Sequence, residues 1–264
     1  MHLKPGVGAK RVDKLSPKDV RSILREKLDA GLSPVRVRRI RLTLKMALDE
    51  AVRMRYVRQN VAAETRAPKL DNPEMDILTI EQVKALIRAA RGDKLECVYV
   101  LAATCGLRQG EVLALRYEDI DFDMGTLRVR RTVWRNNVYP PKTKNSIRTI
   151  KLPKIALEAL VRHRERNGGS GWLFATKNGN PVDASNFIHR PWKRMLRKAG
   201  LRETTKFHAL RHGAASIMLA RNTPLPVVSR VLGHANPHIT ATVYIHVIEG
   251  TEGMAADSMD DALG

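Results

Sequence analysis

At 264 residues with 43% hydrophobic side chains, the chain can bury one medium-sized domain and a smaller piece, which excludes global disorder. A formal net charge of +20 and a pI near 10.5 point to a polyanionic partner, nucleic acid ahead of a membrane surface. Two cysteines, Cys97 and Cys105, sit in apolar stretches and read as small core residues, and no apolar run is long enough to span a bilayer, so a cytoplasmic protein is expected.

The first segment is helical and dense in arginine. Residues 1–70 hold 18 Lys/Arg against 7 Asp/Glu, a balance of +11 in about a quarter of the chain. Ser16-Pro17 and Ser33-Pro34 each read as a helix N-cap followed by proline at the first helical position. The helix expected over 34–54 carries Val37, Ile40, Leu44, Leu48 and Ala51 on one face. Arg38, Arg41 and Lys45 form a neighbouring stripe, and with Arg36 and Arg39 they are the expected contacts to a nucleic-acid backbone. Residues 65–77 hold two prolines and no helical period, and 69–77 are expected to be a linker.

Thr79-Ile-Glu-Gln82 opens a helix with the spacing of a capping box. A second apolar helix is expected over 94–104, broken by Cys105-Gly106-Leu107, and a third begins at Arg108. Alternation over 126–134 and 147–152 predicts a small antiparallel sheet whose strands are joined by a basic loop carrying Lys142 and Lys144. The remainder reads as helical, with turns at Gly168-Gly169, Gly179 and Asn222-Thr223-Pro224. A short Thr-rich helix over 239–247 carries Tyr244, and the acidic tail beyond it holds Glu249, Glu252, Asp257, Asp260 and Asp261.

Several of these residues bear chemistry. Arg108 follows a glycine break at a helix start with Glu111 one turn on; a guanidinium at a helix N-terminus seats a phosphate, and the carboxylate can orient a basic neighbour. His208, Arg211 and His212 share one helix face. Zinc fits them poorly, because the glutamate of a metalloprotease helix is replaced by Ala209 and an arginine between the histidines repels a cation while it attracts a phosphate. His234 follows Leu232-Gly233, where a helix ends on its C-cap glycine. Tyr244 is protonated at neutral pH and needs nearby cations or a base to act as a nucleophile; otherwise it is one more core tyrosine. Lys142 and Lys144 either touch a DNA backbone or supply a general acid.

In order, Gly106-Leu-Arg108-x-x-Glu111, Pro-Lys142-Thr-Lys144, His208-x-Leu-Arg211-His212, Leu-Gly-His234 and Tyr244 resemble the tyrosine recombinase, or phage integrase, family. Leu15-Ser-Pro-Lys-Asp-Val20 and Gly31-Leu-Ser-Pro-Val-Arg-Val37 extend the resemblance to the latter part of that family's core-binding domain. The resemblance implies a mainly α fold with a small antiparallel β-sheet: a partial, SAM-like helical core-binding domain over 1–68, a catalytic domain over 78–250 and an acidic tail over 251–264. It implies that Arg108 and Arg211 clamp the scissile phosphate, His208 and His234 contact it or manage the tyrosine proton, and Lys142 protonates the departing 5′ oxygen. Glu111 supports them from behind, and Tyr244 attacks to form a 3′-phosphotyrosyl bond without metal, ATP or other cofactor. The partners implied are double-stranded DNA, a homotetramer on DNA formed from a monomer or weak oligomer, and an accessory bending or directionality factor, all at the nucleoid. Two other readings share the sequence: a DNA-binding remnant or regulator that no longer recombines, and a topoisomerase of type IB that relaxes DNA.

Overall fold

The computed structural model describes residues 2–69, 77–135, 137–141, 146–234, 236, 240–241 and 260–261. The chain is mainly helical with a small antiparallel sheet, and it divides into two compact units, Met1–Glu74 and Met75–Gly264.

The first unit contains α1 (Lys4–Val7), α2 (Pro17–Asp29) and α3 (Pro34–Arg53). Proline stands at the start of each of the last two, where its missing N–H costs nothing. Ser16 and Asp19 form a reciprocal capping box on α2, and Ser33 Oγ accepts from the Arg36 amide on α3. Val37, Ile40, Leu44 and Leu48 recur at helical spacing and bury against Val20, Leu24 and Ala62.

The second unit is built around α5 (Glu96–Cys105), of which every residue except Thr104 is buried. α4 (Ile80–Ala90), capped by Thr79 and Gln82, packs against it, as do α6 (Gln109–Leu113), α7 (Lys154–Asn167) and α10 (His208–Ala220). A helix apolar all round occupies the centre of its unit because no face can be left in water. Between α7 and α10 lie α8 (Ala184–Phe187), a π-helical turn over Ile188–Trp192 and α9 (Lys193–Lys198); α11 (Leu225–Leu232) follows α10. Cys97 and Cys105 are buried free thiols, and burial pushes them up to about 12 and about 11.

The strands are β1 (Ile120–Asp121), β2 (Thr126–Val129), β3 (Thr132–Trp134), β4 (Asn137–Tyr139) and β5 (Arg148–Lys151). The sheet runs β1-β2-β5, with Leu127 opposite Ile150 and Val129 opposite Arg148. The expected single strand over 126–134 is in fact two strands. It breaks at Arg130-Arg131, whose guanidiniums turn to Glu118 and Asp119, and β3 instead pairs with β4 in a separate hairpin. Alternation persists across the break, so the pattern alone does not reveal it.

Candidate active site

Arg211 lies in the first turn of α10 and is 2% exposed. The start of that helix is held by Phe207, which meets Phe187 and Trp192 edge-on with ring centroids 5.2 and 5.1 Å away. Arg211 Nη1 donates to the carbonyl of Gly106 over 2.8 Å. Gly106 ends α5 at φ +62°, in the left-handed region, and a Cβ there would run into Leu232 Cδ2. The glycine break therefore does two jobs: it turns the chain from α5 toward Arg108 and presents a carbonyl to Arg211.

Arg108 is the N-cap of α6. Its amide donates to Glu111 Oε2 (3.0 Å), its Nη1 to Glu111 Oε1 (2.7 Å) and its Nη2 to the Gly233 carbonyl (3.2 Å). Glu111 is 5% exposed and accepts from a second arginine as well, Arg148, through Nη2 to Oε2 (3.0 Å) and Nη1 to Oε1 (3.3 Å). Burial pushes the Glu111 carboxyl up, but Arg148 and then Arg108 outweigh it, and the group is held below its ordinary range. The expectation that Glu111 orients a basic neighbour thus has two objects.

Arg148 is the residue that sequence reasoning missed. A signal was present: Arg148 has the same strand parity as Ile150 and Leu152, so alternation turns it inward, where arginine is out of place without a partner.

Two of the histidines share this neighbourhood. Desolvation, then the charges of His212, Arg211 and Arg108, lower His208 from 6.5 to about 4. Its ring lies 4.6 Å from that of His212 in an edge-on arrangement; burial and Arg211 lower His212 too. His234 follows the left-handed C-cap Gly233, and its Nδ1 lies 2.7 Å from the buried Thr240 hydroxyl. Desolvation, then Arg211, Arg108, His208 and Arg148, lower it to about 4. Burial, aided by the neighbouring cations, keeps both rings neutral at pH 7, and those cations create a positive potential suited to an anion.

The structure therefore brings Arg108, Glu111, Arg211, His208 and His234 together, from segments more than a hundred residues apart. Lys142, Lys144 and Tyr244 lie outside the described residues, as does most of the acidic tail; Asp260 and Asp261 are described and exposed. In the first unit, Arg36, Arg38 and Arg39 are exposed on α3. Arg41 is instead turned inward, donating to Thr65 Oγ1 and the Ala62 carbonyl (both 3.0 Å) and to the Thr65 carbonyl. Lys45 pairs with Asp49 at 2.7 Å. Among the described residues no group of three or more His, Cys, Asp or Glu side chains is arranged to hold a metal ion.

Against known proteins, the profile of the phage integrase family matches residues 76–250. A tyrosine recombinase, XerC-like, of Caldanaerobacter subterraneus subsp. tengcongensis is 34% identical, over 88% of this chain and 67% of its own length. The ICEBs1 integrase of Bacillus subtilis is 25% identical, over 96% of this chain and 72% of its own. Among solved structures, the Tn1549 transposon integrase in complex with a circular intermediate DNA shares the fold, with a TM-score of 0.82 at 22% identity, covering 95% of this chain and 86% of that one.

Proposed function

The chain belongs to the phage integrase family, the tyrosine recombinases, and we propose that it cuts and rejoins double-stranded DNA through a covalent bond to Tyr244. The carrying observation is the convergence of Arg108, Arg211, His208 and His234 around the two left-handed glycines, with both histidines pushed down to about 4. A positive, partly desolvated seat of this kind binds a phosphodiester and is worth most when negative charge builds on its oxygens in the transition state.

In the reaction, the Tyr244 oxygen attacks phosphorus and its proton leaves to His208 or His234, whose basicity rises as the phosphate charge enters. The P–O5′ bond breaks and Lys142, with Lys144 as substitute, donates the proton that makes the 5′ hydroxyl. Arg108 and Arg211 hold the non-bridging oxygens. Because Nδ1 of His234 faces Thr240, contact to the phosphate falls to Nε2. A 5′ hydroxyl of another strand then reverses the steps, so the phosphodiester is conserved and no nucleotide is hydrolysed. The exposed Arg36, Arg38 and Arg39 of α3 serve the DNA backbone, and the working assembly is a tetramer on two DNA sites.

The test is a nicked duplex carrying the chain's own site, whose cleavage traps the covalent product. The wild type should give an SDS-stable, protease-sensitive adduct and Tyr244→Phe none. An adduct that survives in Tyr244→Phe overturns the nucleophile; its absence in wild type on a bound site leaves a DNA-binding remnant. Relaxation of a supercoiled plasmid without strand exchange would indicate the topoisomerase reading instead.

A further inference from the structure

Arg148 does not belong to the set of groups that would touch the phosphate, yet its side chain makes four hydrogen bonds in the site. It is 7% exposed and lies behind Glu111. Its fork donates to both oxygens of that carboxylate, at 3.0 and 3.3 Å. The same guanidinium donates through Nε to the Val231 carbonyl (2.6 Å) and through Nη1 to the Ser146 carbonyl (3.1 Å). One residue thus ties together the start of α6, the last turn of α11 and the end of the segment that carries Lys142 and Lys144.

Gly233 completes the arrangement. It takes φ +68°, and a Cβ on it would lie 2.7 Å from Arg148 Nη1 and 2.9 Å from Cζ. The glycine before His234 is therefore needed twice, once as a helix C-cap and once as the slot that Arg148 occupies. Its carbonyl, in turn, accepts from Arg108 Nη2 at 3.2 Å. Arg108 and His234 are held by the two ends of one hydrogen-bonded unit whose centre is Arg148 on Glu111.

We infer that Arg148 is a positioning residue for the strand-transfer reaction: through Glu111 it sets the Arg108 guanidinium, and through the last turn of α11 and Gly233 it sets the His234 ring. The inference rests on the reading of the site given under Proposed function. A lysine keeps the charge but cannot reach two carboxylate oxygens and a carbonyl at once, so fork geometry and not charge alone is required.

The test compares Arg148→Lys, Arg148→Met and Glu111→Gln by single-turnover adduct formation on the nicked duplex and by DNA affinity in a mobility shift. In Arg148→Lys the adduct rate should fall about 10²-fold, the scale of a 1 Å misplacement, with affinity little changed. In Arg148→Met the acid limb of the rate profile should also move to higher pH, since Glu111 has lost its chief cation, and Glu111→Gln added to Arg148→Met should remove that limb. A fall in rate that matches the fall in affinity, together with an unmoved acid limb, overturns the inference. If Arg148→Met fails to fold, Arg148→Lys carries the test. If wild type makes no adduct, the catalytic reading fails by itself and positioning is read without DNA, from the NMR titration of the His234 ring. A changed titration in Arg148→Lys, where charge is kept, reports displaced geometry; an unchanged one overturns the inference.

Discussion

In the second unit, the arginine cluster at Asp119 and the one at Glu111 are built to opposite ends. Around Asp119 and Glu118, Arg116, Arg130 and Arg131 come from within fifteen residues of one another. Asp119, its side chain 1% exposed, accepts from the Arg116 amide (2.9 Å), Arg130 Nε (2.6 Å) and Arg131 Nη2 (2.7 Å). Glu118 takes Arg130 and Arg131 at 2.9 and 3.2 Å, and the Arg116 guanidinium lies 4.3 Å from the Trp172 ring. Carboxylates and an aromatic face match this cluster's cations, and it rivets β2 and β3 to the turn that precedes β1. Around Glu111, by contrast, Arg108 and Arg148 share one carboxylate across 37 residues of sequence, and Arg108 reaches on to Gly233, 125 residues away. Here burial first, and then the neighbouring arginine charges, lower His208 and His234 to about 4. The two clusters thus differ in reach: one closes on carboxylates close by in sequence, the other joins segments more than a hundred residues apart.

The largest expected effects break both clusters at their buried carboxylates. Glu111→Gln should cost on the order of 3–5 kcal/mol by urea denaturation, the range for removing one partner of a buried pair, and Asp119→Asn less, because Arg130 and Arg131 stay partly in water. Only Glu111→Gln should also slow adduct formation per folded molecule; equal slowing by Asp119→Asn would erase the distinction. Next, Arg211→Ala should lower the adduct rate by roughly 10²–10³-fold, as for loss of one transition-state donor, whereas Arg131→Ala should leave the rate of folded protein within a few-fold.

A smaller effect concerns pH. The folded pKa of His208 and of His234 is depressed from 6.5 to about 4, so between these values the unfolded chain binds more protons than the native one. Stability should therefore rise with pH across that window, and the fraction of it that depends on these rings is lost as pH falls toward 4. Replacing His234 by Gln should flatten the dependence measured by melting midpoints, and an unchanged slope would show that the depression is not borne by this ring. The smallest effect belongs to the exposed edge of the other cluster: Glu118→Gln should cost no more than about 1 kcal/mol, because that carboxylate is half in water.

Much of the site was legible beforehand because its signals are local. A glycine before an N-cap arginine, two histidines flanking an arginine at i, i+3 and i+4, and Leu-Gly-His at a helix end each describe one turn of chain. Arg148 was not legible in the same way, since its meaning lies in Glu111 and Val231, 37 and 83 residues distant. Arg41 has tertiary partners that its sequence position does not reveal. On a helical wheel it belongs to a cationic stripe, but the turn at 62–65 folds back to take its guanidinium, so it is a tether of the first unit.

By itself, then, the amino-acid sequence determined the helices, their caps, the basic charge and the order of the Arg and His motifs, because spacing and backbone preference act within a few residues. Only the tertiary structure decided which arginines gather on Glu111 and which on Asp119, where the strand over 126–134 breaks, and that His208 and His234 sit in desolvated, cationic surroundings. Those outcomes depend on burial and on charges brought together from distant segments, and desolvation and Coulomb energy are properties of the assembled neighbourhood.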